Sequence, residues 1–265
     1  MKNLKPSDPE LASVGELAVA IEGGGAPLIA IHGLPGSHRD YRWLAGALAG
    51  RLRFIRPDMP GFGQSAVRAP GLTVPVRAEA ILRLMDALEI STAAVMGHSM
   101  GGPVAFHLAA HHPDRIVRLA LLASVGVSPH RVWARSGATW AGTLFGIPGL
   151  RQLLTPRLRA VYAKAGFPSS ISDADRVLAV RQVGSIRFDQ HAEAVALLTC
   201  PTLVAWTIDD PLVESEISDE LAEKCPKGPR FAFPTGGHNL QKTRAVELAD
   251  ALTEFVESPH ESIGV

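Results

Sequence analysis

The chain has 265 residues, of which 46% are hydrophobic and 20% are charged, a length near the upper limit for one hydrophobic core. Lysine plus arginine and aspartate plus glutamate number 26 each, so the net charge argues against a nucleic-acid binder or an anionic-membrane binder. Two cysteines, Cys200 and Cys225, are too few for a disulfide framework. Neither a signal sequence nor an apolar run of about 18 residues is found. These features favour a cytoplasmic protein without a membrane span, and they carry no signal of oligomeric state.

Short apolar runs alternate with helix-period segments along most of the chain. The first two runs, residues 11–14 and 17–21, flank Gly15 and predict a β-hairpin. Buried strands are predicted at residues 27–31, 53–56, 93–96, 119–122, 202–206 and 230–233, and helices at residues 41–52, 76–88, 101–111 and 244–256. Continuous apolar strands separated by helices predict an α/β protein whose mostly parallel sheet is covered by helices on both faces.

Residues 128–196 interrupt this alternation, because they contain no clear buried strand. The segment contains only helical pieces, which we expect to break at Pro148, Pro156 and Pro168. It holds nine of the basic residues, four of the acidic residues and six of the fifteen aromatic residues. We therefore predict a helical lid at 128–196 over an apolar pocket, inserted into a core domain formed by residues 1–127 and 197–265. Alternatively, the segment is a helical insertion that forms no lid, and its aromatic side chains only pack on the core.

The pentapeptide Gly97-His-Ser-Met-Gly101 lies between a predicted strand and a predicted helix. A serine on such a sharp turn has a strained backbone, and its hydroxyl is exposed at the N-terminus of the helix. Nearby amides and the helix dipole can stabilise an oxyanion there. Ser99 is therefore the candidate nucleophile, and its neighbour His98 is expected to be a packing residue.

A serine nucleophile needs a base, and the base needs a carboxylate to orient it. Asp209 and Asp210 follow the predicted strand at 202–206, and His238 follows the strand at 230–233. Parallel strands put both groups on the same edge of the sheet as Ser99. The chain order of serine, acid and histidine is that of an α/β-hydrolase triad.

The segment His32-Gly-Leu-Pro-Gly36 directly follows the predicted strand at 27–31. Its Leu34 N–H, together with the Met100 N–H, can form an oxyanion hole. Ser37 and His38 come just after this loop and can contact a substrate, although Ser37 can equally cap a helix.

These motifs together resemble the α/β-hydrolase superfamily over about residues 11–256. The matching pieces are His32-Gly-Leu-Pro-Gly36, Asp58-Met-Pro-Gly-Phe-Gly-Gln-Ser65, Gly97-His-Ser-Met-Gly-Gly102, His112-Pro-Asp-Arg115, Asp210 and Gly237-His238. The resemblance implies an eight-stranded, mostly parallel sheet with a helical cap after strand six. It implies Ser99 as nucleophile, His238 as base, Asp210 as acid, and Leu34 and Met100 as oxyanion donors.

One residue departs from the family pattern. Such proteins commonly carry Trp-Gly-x-x-Asp, and this chain has Trp206-Thr-Ile-Asp-Asp210, so Asp209 remains an alternative acid. Dehalogenases and most epoxide hydrolases of this fold use an aspartate nucleophile, and the serine at position 99 disfavours both activities.

Two further patterns suggest cofactor or metal binding, and we reject both. Residues 61–66 match G-x-G-x-x-A, but no helix follows directly to receive a pyrophosphate. His107 and His111 are four residues apart on a helix but lack the glutamate of an H-E-x-x-H site.

We therefore expect a serine hydrolase that needs no cofactor or metal and acts on a small-molecule substrate. The expected substrate is a small to medium, largely apolar carboxylic ester or thioester. His32, Trp133, Trp140 and Phe145 are further candidate substrate contacts. Carbon–carbon bond hydrolysis or amide hydrolysis can use the same triad, and a non-catalytic ligand receptor on this scaffold is the alternative from another class.

Overall fold

A computed structural model describes residues 4–65, 73–164, 169 and 171–259. Within these residues one sheet has eight strands, which are β1 (Ala12–Val14), β2 (Leu17–Glu22), β3 (Pro27–Ile31), β4 (Arg53–Pro57), β5 (Ala93–His98), β6 (Ile116–Leu122), β7 (Thr202–Thr207) and β8 (Arg230–Phe233). Their order is β1-β2-β4-β3-β5-β6-β7-β8. β2 pairs antiparallel with β1 and β4, and the remaining neighbours pair in parallel. The prediction of an eight-stranded, mostly parallel sheet is confirmed.

Eleven α-helices lie in the described ranges. They are α1 (Arg42–Leu48), α2 (Val74–Ala87), α3 (Gly101–His111), α4 (Arg131–Ser136), α5 (Ala138–Leu144), α6 (Pro148–Lys164), α7 (Asp173–Gly184), α8 (Phe188–Ala196), α9 (Ser215–Lys224), α10 (Leu240–Thr243) and α11 (Ala245–Glu257), and a short 3-10 helix at His38–Tyr41 precedes α1. None of the helices in the described ranges combines the length and apolar character that a membrane crossing requires.

The hydrophobic core consists of two layers, one on each face of the sheet. Successive strand residues alternate between them: Val95 packs in the layer with α2, α3, α8 and α9, whereas Ala94 and Met96 pack in the layer with α1 and α11. Because both faces are covered, the central parallel strands β3 and β5 are apolar over most of their length, whereas β4 and β6 each carry a buried arginine, Arg56 and Arg118.

The carboxyl ends of the parallel strands define one edge of the sheet. β3 ends at Ile31, β5 at His98, β7 at Thr207 and β8 at Phe233. The loops that follow these strands therefore meet at this edge, where open α/β sheets commonly bind ligands.

In two places the structure differs from the sequence analysis. α9 lies between the strands at 202–206 and 230–233, where the sequence analysis names no helix. Its pattern is weak because its buried face is narrow and includes Ser218 beside Leu221. The sequence predicts a break at Pro156, yet α6 continues through it; losing one backbone hydrogen bond does not end this helix.

The segment between β6 and β7 is helical wherever it is described. It contains α4 to α8, and the predicted break at Pro168 lies outside the described residues. α8 packs against α3 of the core layer, whereas Phe145, Leu158 and Val177 form a separate small cluster among the helices of the segment. The segment thus has its own apolar contacts and one face against the main core.

Candidate active site

Ser99 lies on the sharp turn between β5 and α3. Its φ is 52°, a left-handed conformation that is uncommon for a residue with a side chain. The turn is held by Ser99 N–H, which donates to Leu122 O at 3.1 Å, and by Ser99 O, which accepts from Gly102 N at 3.0 Å. A side chain at Gly101 would overlap the Ile31 carbonyl oxygen, so glycine lets α3 begin directly beside β3.

The loop after β3 lies against Ser99. A Cβ added to Gly33 would lie 2.9 Å from the Ser99 Cβ, so the two backbones approach closely. Within the described residues, neither the Leu34 N–H nor the Met100 N–H donates to a protein acceptor. Two amide donors beside a serine hydroxyl are the arrangement that an oxyanion hole needs.

His32 braces this loop from inside the protein. Its ring Nε2 accepts from Met59 N at 2.9 Å, and its Nδ1 donates to Gly33 O at 2.7 Å. Burial lowers the pKa of His32 to about 4, so the ring is neutral. Both ring nitrogens thus have protein partners, which gives His32 a role in holding the loop, and its contact with substrate stays a prediction.

The loop after β8 carries His238 and is called the histidine loop below. It contacts Asp209 and Asp210, which follow β7. His238 Nδ1 lies 2.8 Å from Asp210 Oδ2, and Asp210 Oδ1 accepts from Leu212 N at 2.8 Å and Val213 N at 3.1 Å. Burial raises the pKa of Asp210, but the hydrogen bond and charge of His238, with these two amides, outweigh it and leave the pKa below its usual range. Asp210 is thus an ionised, buried partner of the imidazole.

Asp209 has a different position from its neighbour. Its carboxylate accepts from Gly237 N at 2.8 Å and from Gly236 N at 3.2 Å. Those hydrogen bonds hold its pKa below the usual range. The structure therefore brings Asp210, and not Asp209, to the His238 ring.

Thr207, where the family pattern has glycine, also holds the histidine loop. Its Oγ1 donates to Gly237 O at 3.0 Å, and the residue is fully buried. With the Asp209 contacts, three hydrogen bonds join the Gly236–Gly237 backbone to the end of β7. The departure from the family pattern thus supplies a contact that glycine cannot make.

His98, the residue before Ser99, is buried against His238. Its Nε2 donates to His238 O at 2.8 Å, and the two ring centroids are 4.9 Å apart. Its Nδ1 is buried without a partner among the described residues. Burial, followed by the charge of His238, lowers the pKa of His98 to about 3.

No hydrogen bond links Ser99 to His238 in the described part of the chain, although such bonds are often long before substrate binds.

The neutral state of His98 makes the fold sensitive to acid. Between its ordinary pKa of 6.5 and the folded value of about 3, the unfolded chain binds a proton that the folded chain does not. The free energy of unfolding should therefore fall as pH falls, with about 1.4 kcal/mol per pH unit from His98. We expect His98→Gln, whose amide can still donate to His238 O, to flatten the dependence by about this slope between roughly pH 6 and pH 4. Urea unfolding of both proteins across this range measures it, and equal slopes would contradict it.

Two residues predicted to contact substrate have partners within the protein. Ser37 caps the 3-10 helix: its Oγ accepts from Arg39 N, and its N–H donates to Asp40. His38 is buried, and both its N–H and its ring Nδ1 bond to Asp58 Oδ1, at 2.7 and 2.8 Å. A contact of either side chain with substrate stays a prediction.

The three aromatic residues within 128–196 that were predicted to contact substrate have different surroundings. Trp133 Nε1 donates to Val183 O at 2.9 Å, and its ring packs edge-on against Phe188. Trp140 is 77% exposed, and Phe145 packs in the small cluster of the lid segment. Helix packing inside the segment determines these positions, which aromatic content alone does not reveal.

His130, just before α4, is a residue near the site that the sequence interpretation missed. It is buried, and its Nδ1 accepts from Trp133 N at 3.2 Å. Burial lowers its pKa, and the charges of Glu214, His238 and Asp210 also act on it. It carries no motif, so only the fold reveals its position.

His107 and His111 stack with ring centroids 4.1 Å apart, and the described residues hold no cluster of metal-ligating side chains.

Comparisons with known proteins identify the family. Residues 26–154 match the model of the alpha/beta hydrolase fold. A protein of Caulobacter sp. (strain K31) that carries the name carbamate hydrolase RutD is 30% identical, over 84% of this chain and 88% of its own. The chain belongs to the α/β-hydrolase fold family.

Further relatives differ in their named activities. The dihydrolipoyllysine-residue acetyltransferase component of the acetoin cleaving system of Pseudomonas putida is 28% identical over 88% of this chain, which spans 64% of that relative's length. The 2-hydroxymuconate semialdehyde hydrolase of Pseudomonas sp. (strain CF600) is 29% identical over 88% of each chain. The structure of a thermophilic esterase from Thermogutta terrifontis has a TM-score of 0.73 at 23% identity, over 93% of this chain and 97% of that one, and shows the same fold.

Proposed function

We propose that this protein is a serine hydrolase that cleaves a carboxylic ester or thioester through an acyl-enzyme. The observation that carries the proposal is the contact of 2.8 Å between Asp210 Oδ2 and His238 Nδ1, on loops beside the strained Ser99. An ionised carboxylate on Nδ1 keeps the proton there, which leaves Nε2 free to accept the serine proton.

The reaction takes two steps on these residues. Ser99 Oγ attacks the substrate carbonyl carbon while His238 Nε2 takes the hydroxyl proton, and the Leu34 and Met100 N–H groups stabilise the oxyanion. The imidazolium then protonates the leaving alcohol or thiol, and the acyl-enzyme remains. Water, deprotonated by His238, attacks the acyl group and releases the acid. Asp210 stabilises the imidazolium in both steps.

Carbon–carbon bond hydrolysis is the second candidate. The similarity to a 2-hydroxymuconate semialdehyde hydrolase over 88% of each chain supports it. The same serine, histidine and aspartate would be used, and the leaving group would be a carbanion equivalent instead of an alcohol. The two candidates differ in substrate and not in the residues required.

Labelling with a fluorophosphonate tests the proposal, because this reagent reacts with activated serines. We expect one label per chain, on the peptide that contains Ser99, and no label on heat-unfolded protein. Multiple turnover of p-nitrophenyl esters of increasing acyl length should accompany it. Folded protein that neither labels nor turns over any ester would overturn the proposal. Faster cleavage of 2-hydroxymuconate semialdehyde than of every ester would favour the carbon–carbon reaction.

A further inference from the structure

A cavity of about 510 Å³ begins beside the nucleophile turn and runs between the core and the lid segment. Met100, the residue after Ser99, forms part of its wall. The remaining walls come from the start of α2, the outer face of α3 and the stretch from the end of α7 to the end of α8. Apolar side chains line much of it: Val74, Val104, Phe106, Ala194 and Leu197. This size and position suit the part of a substrate that extends away from the reacting carbonyl.

Arg77, on α2, is a buried cation in the wall of this cavity. It is 4% exposed, its Nη2 donates to Pro60 O at 3.2 Å, and its guanidinium lies 5.2 Å from the centre of the Phe62 ring. In the part of the chain that the structure describes, no carboxylate lies within ion-pair distance of it, and its Nε has no partner. Burial lowers the pKa of Arg77 to about 9, which still leaves it charged at neutral pH.

A buried charge without a counter-ion is costly, and proteins normally pair it. Arg56, a buried arginine on β4, illustrates the usual solution, because it is paired with Glu22. Arg118, another buried arginine, shows a second solution, because its Nη2 donates to Ser258 O and Pro259 O and its guanidinium lies 5.2 Å from the centre of the Phe255 ring. Arg77 has a carbonyl and an aromatic face of this kind, but its buried Nε has no partner among the described residues. An anion in the cavity can supply the missing hydrogen-bond partner.

Gln182, on α7, is a second unsatisfied polar group in the same wall. It is 8% exposed, and neither its amide oxygen nor its amide nitrogen has a partner among the described residues. An amide nitrogen can donate a hydrogen bond to a carboxylate. Of the other polar residues in the wall, His191 is bonded to Gly126 O, and Arg187, which is exposed, is paired with Asp189. The acidic Glu193 also lines the cavity, on α8.

We propose that this cavity is a subsite for a substrate carboxylate, bound by the Arg77 guanidinium and the Gln182 amide. That the bound molecule is a substrate rests on the proposed function. The substrate class is then an ester or similar carbonyl compound that carries a second, free carboxylate. The carboxylate lies at the far end of an apolar chain, and the carbonyl lies at Ser99. The apolar wall selects the chain, and Arg77 selects its charged end.

Equilibrium binding to the Ser99→Ala protein tests the subsite without depending on catalysis. The probes are monomethyl adipate, which carries a free carboxylate, and methyl hexanoate, which has the same chain length and no charge. We expect Ser99→Ala to bind the anionic probe more tightly. Adding Arg77→Met should remove this preference, with a loss of about 10-fold to 100-fold in affinity for the anionic probe only. The matched control adds Arg83→Met, which removes an exposed arginine of the same helix and should change neither affinity.

The outcomes separate the subsite from the proposed function. Absence of any preference for the anionic probe, or a preference that survives Arg77→Met, overturns the subsite. Gln182→Leu provides a second variant that keeps the buried cation, and it should weaken anionic binding by several-fold. A preference that depends on Arg77, in a protein that neither labels with the fluorophosphonate nor turns over any ester, would support the subsite and overturn the serine hydrolase.

Discussion

Replacement of Ser99 by alanine should lower kcat for p-nitrophenyl ester hydrolysis by about 10⁴-fold or more. The substitution removes the nucleophilic oxygen, and the remaining site can act only through its oxyanion donors and substrate binding. Fold stability should change little, because no hydrogen bond of the serine hydroxyl is found among the described residues and the Cβ is kept. Stopped-assay kinetics on purified proteins, with unfolding curves beside them, measure both quantities.

The control for Ser99→Ala is Ser218→Ala. Ser218 is a buried serine on α9, outside the loops that carry the triad candidates. We expect the kcat of Ser218→Ala to stay within a few-fold of the kcat of the unmodified protein. Retention of more than about a hundredth of the activity by Ser99→Ala, after contaminating esterases are removed, would contradict the assignment of the nucleophile.

Asparagine at position 210 should lower kcat by about 10⁴-fold, whereas asparagine at position 209 should lower it by less than about 10-fold. Asp210 accepts the Nδ1 proton of His238, and an asparagine amide can instead donate to Nδ1. The imidazole proton would then lie on Nε2, where it blocks removal of the serine proton. Asp209 contacts the amides of Gly236 and Gly237 and the Thr207 side chain but not the imidazole, so Asp209→Asn keeps one acceptor and leaves the imidazole tautomer unchanged.

The pair of variants is a matched control, because each removes one negative charge from adjacent positions. Steady-state kinetics and unfolding curves for both proteins separate an effect on the imidazole from a general loss of charge. A large fall for Asp209→Asn with a small fall for Asp210→Asn would reverse the acid assignment. Equal falls would show that neither carboxylate acts through the tautomer.

The sequence predicted the sheet and the strand–turn–helix geometry around Ser99 well, for a physical reason. Strands covered on both faces are mostly apolar, and the Gly97 to Gly101 turn needs glycine where backbones approach closely, so both leave local signals. α9 was missed because most of its surface is polar. Contacts between residues far apart in the chain also left no signal in the sequence. His38, for example, bonds to Asp58, 20 residues later in the chain, and no local pattern indicates this.

Aromatic content proved a poor guide to the lid. Trp140 and Phe145 have opposite surroundings, one exposed to solvent and the other packed between helices. Composition gives the number of aromatic side chains in a segment. It does not show which face of each helix is buried. The choice between Asp209 and Asp210 likewise depended on loop geometry, since both residues follow the same strand.

The hydrogen bonds that hold the histidine loop have a consequence for how such a protein changes over evolution. The Gly236–Gly237 backbone is tied to Thr207 and Asp209, and Asp210 is tied to the amides that follow it. None of these bonds involves residues 128–196. If Asp210 and His238 act as proposed, mutations in the helices of 128–196 can reshape the space offered to a substrate while these two side chains keep their positions. Selection for a new substrate and preservation of the chemistry would then act on largely separate sets of residues.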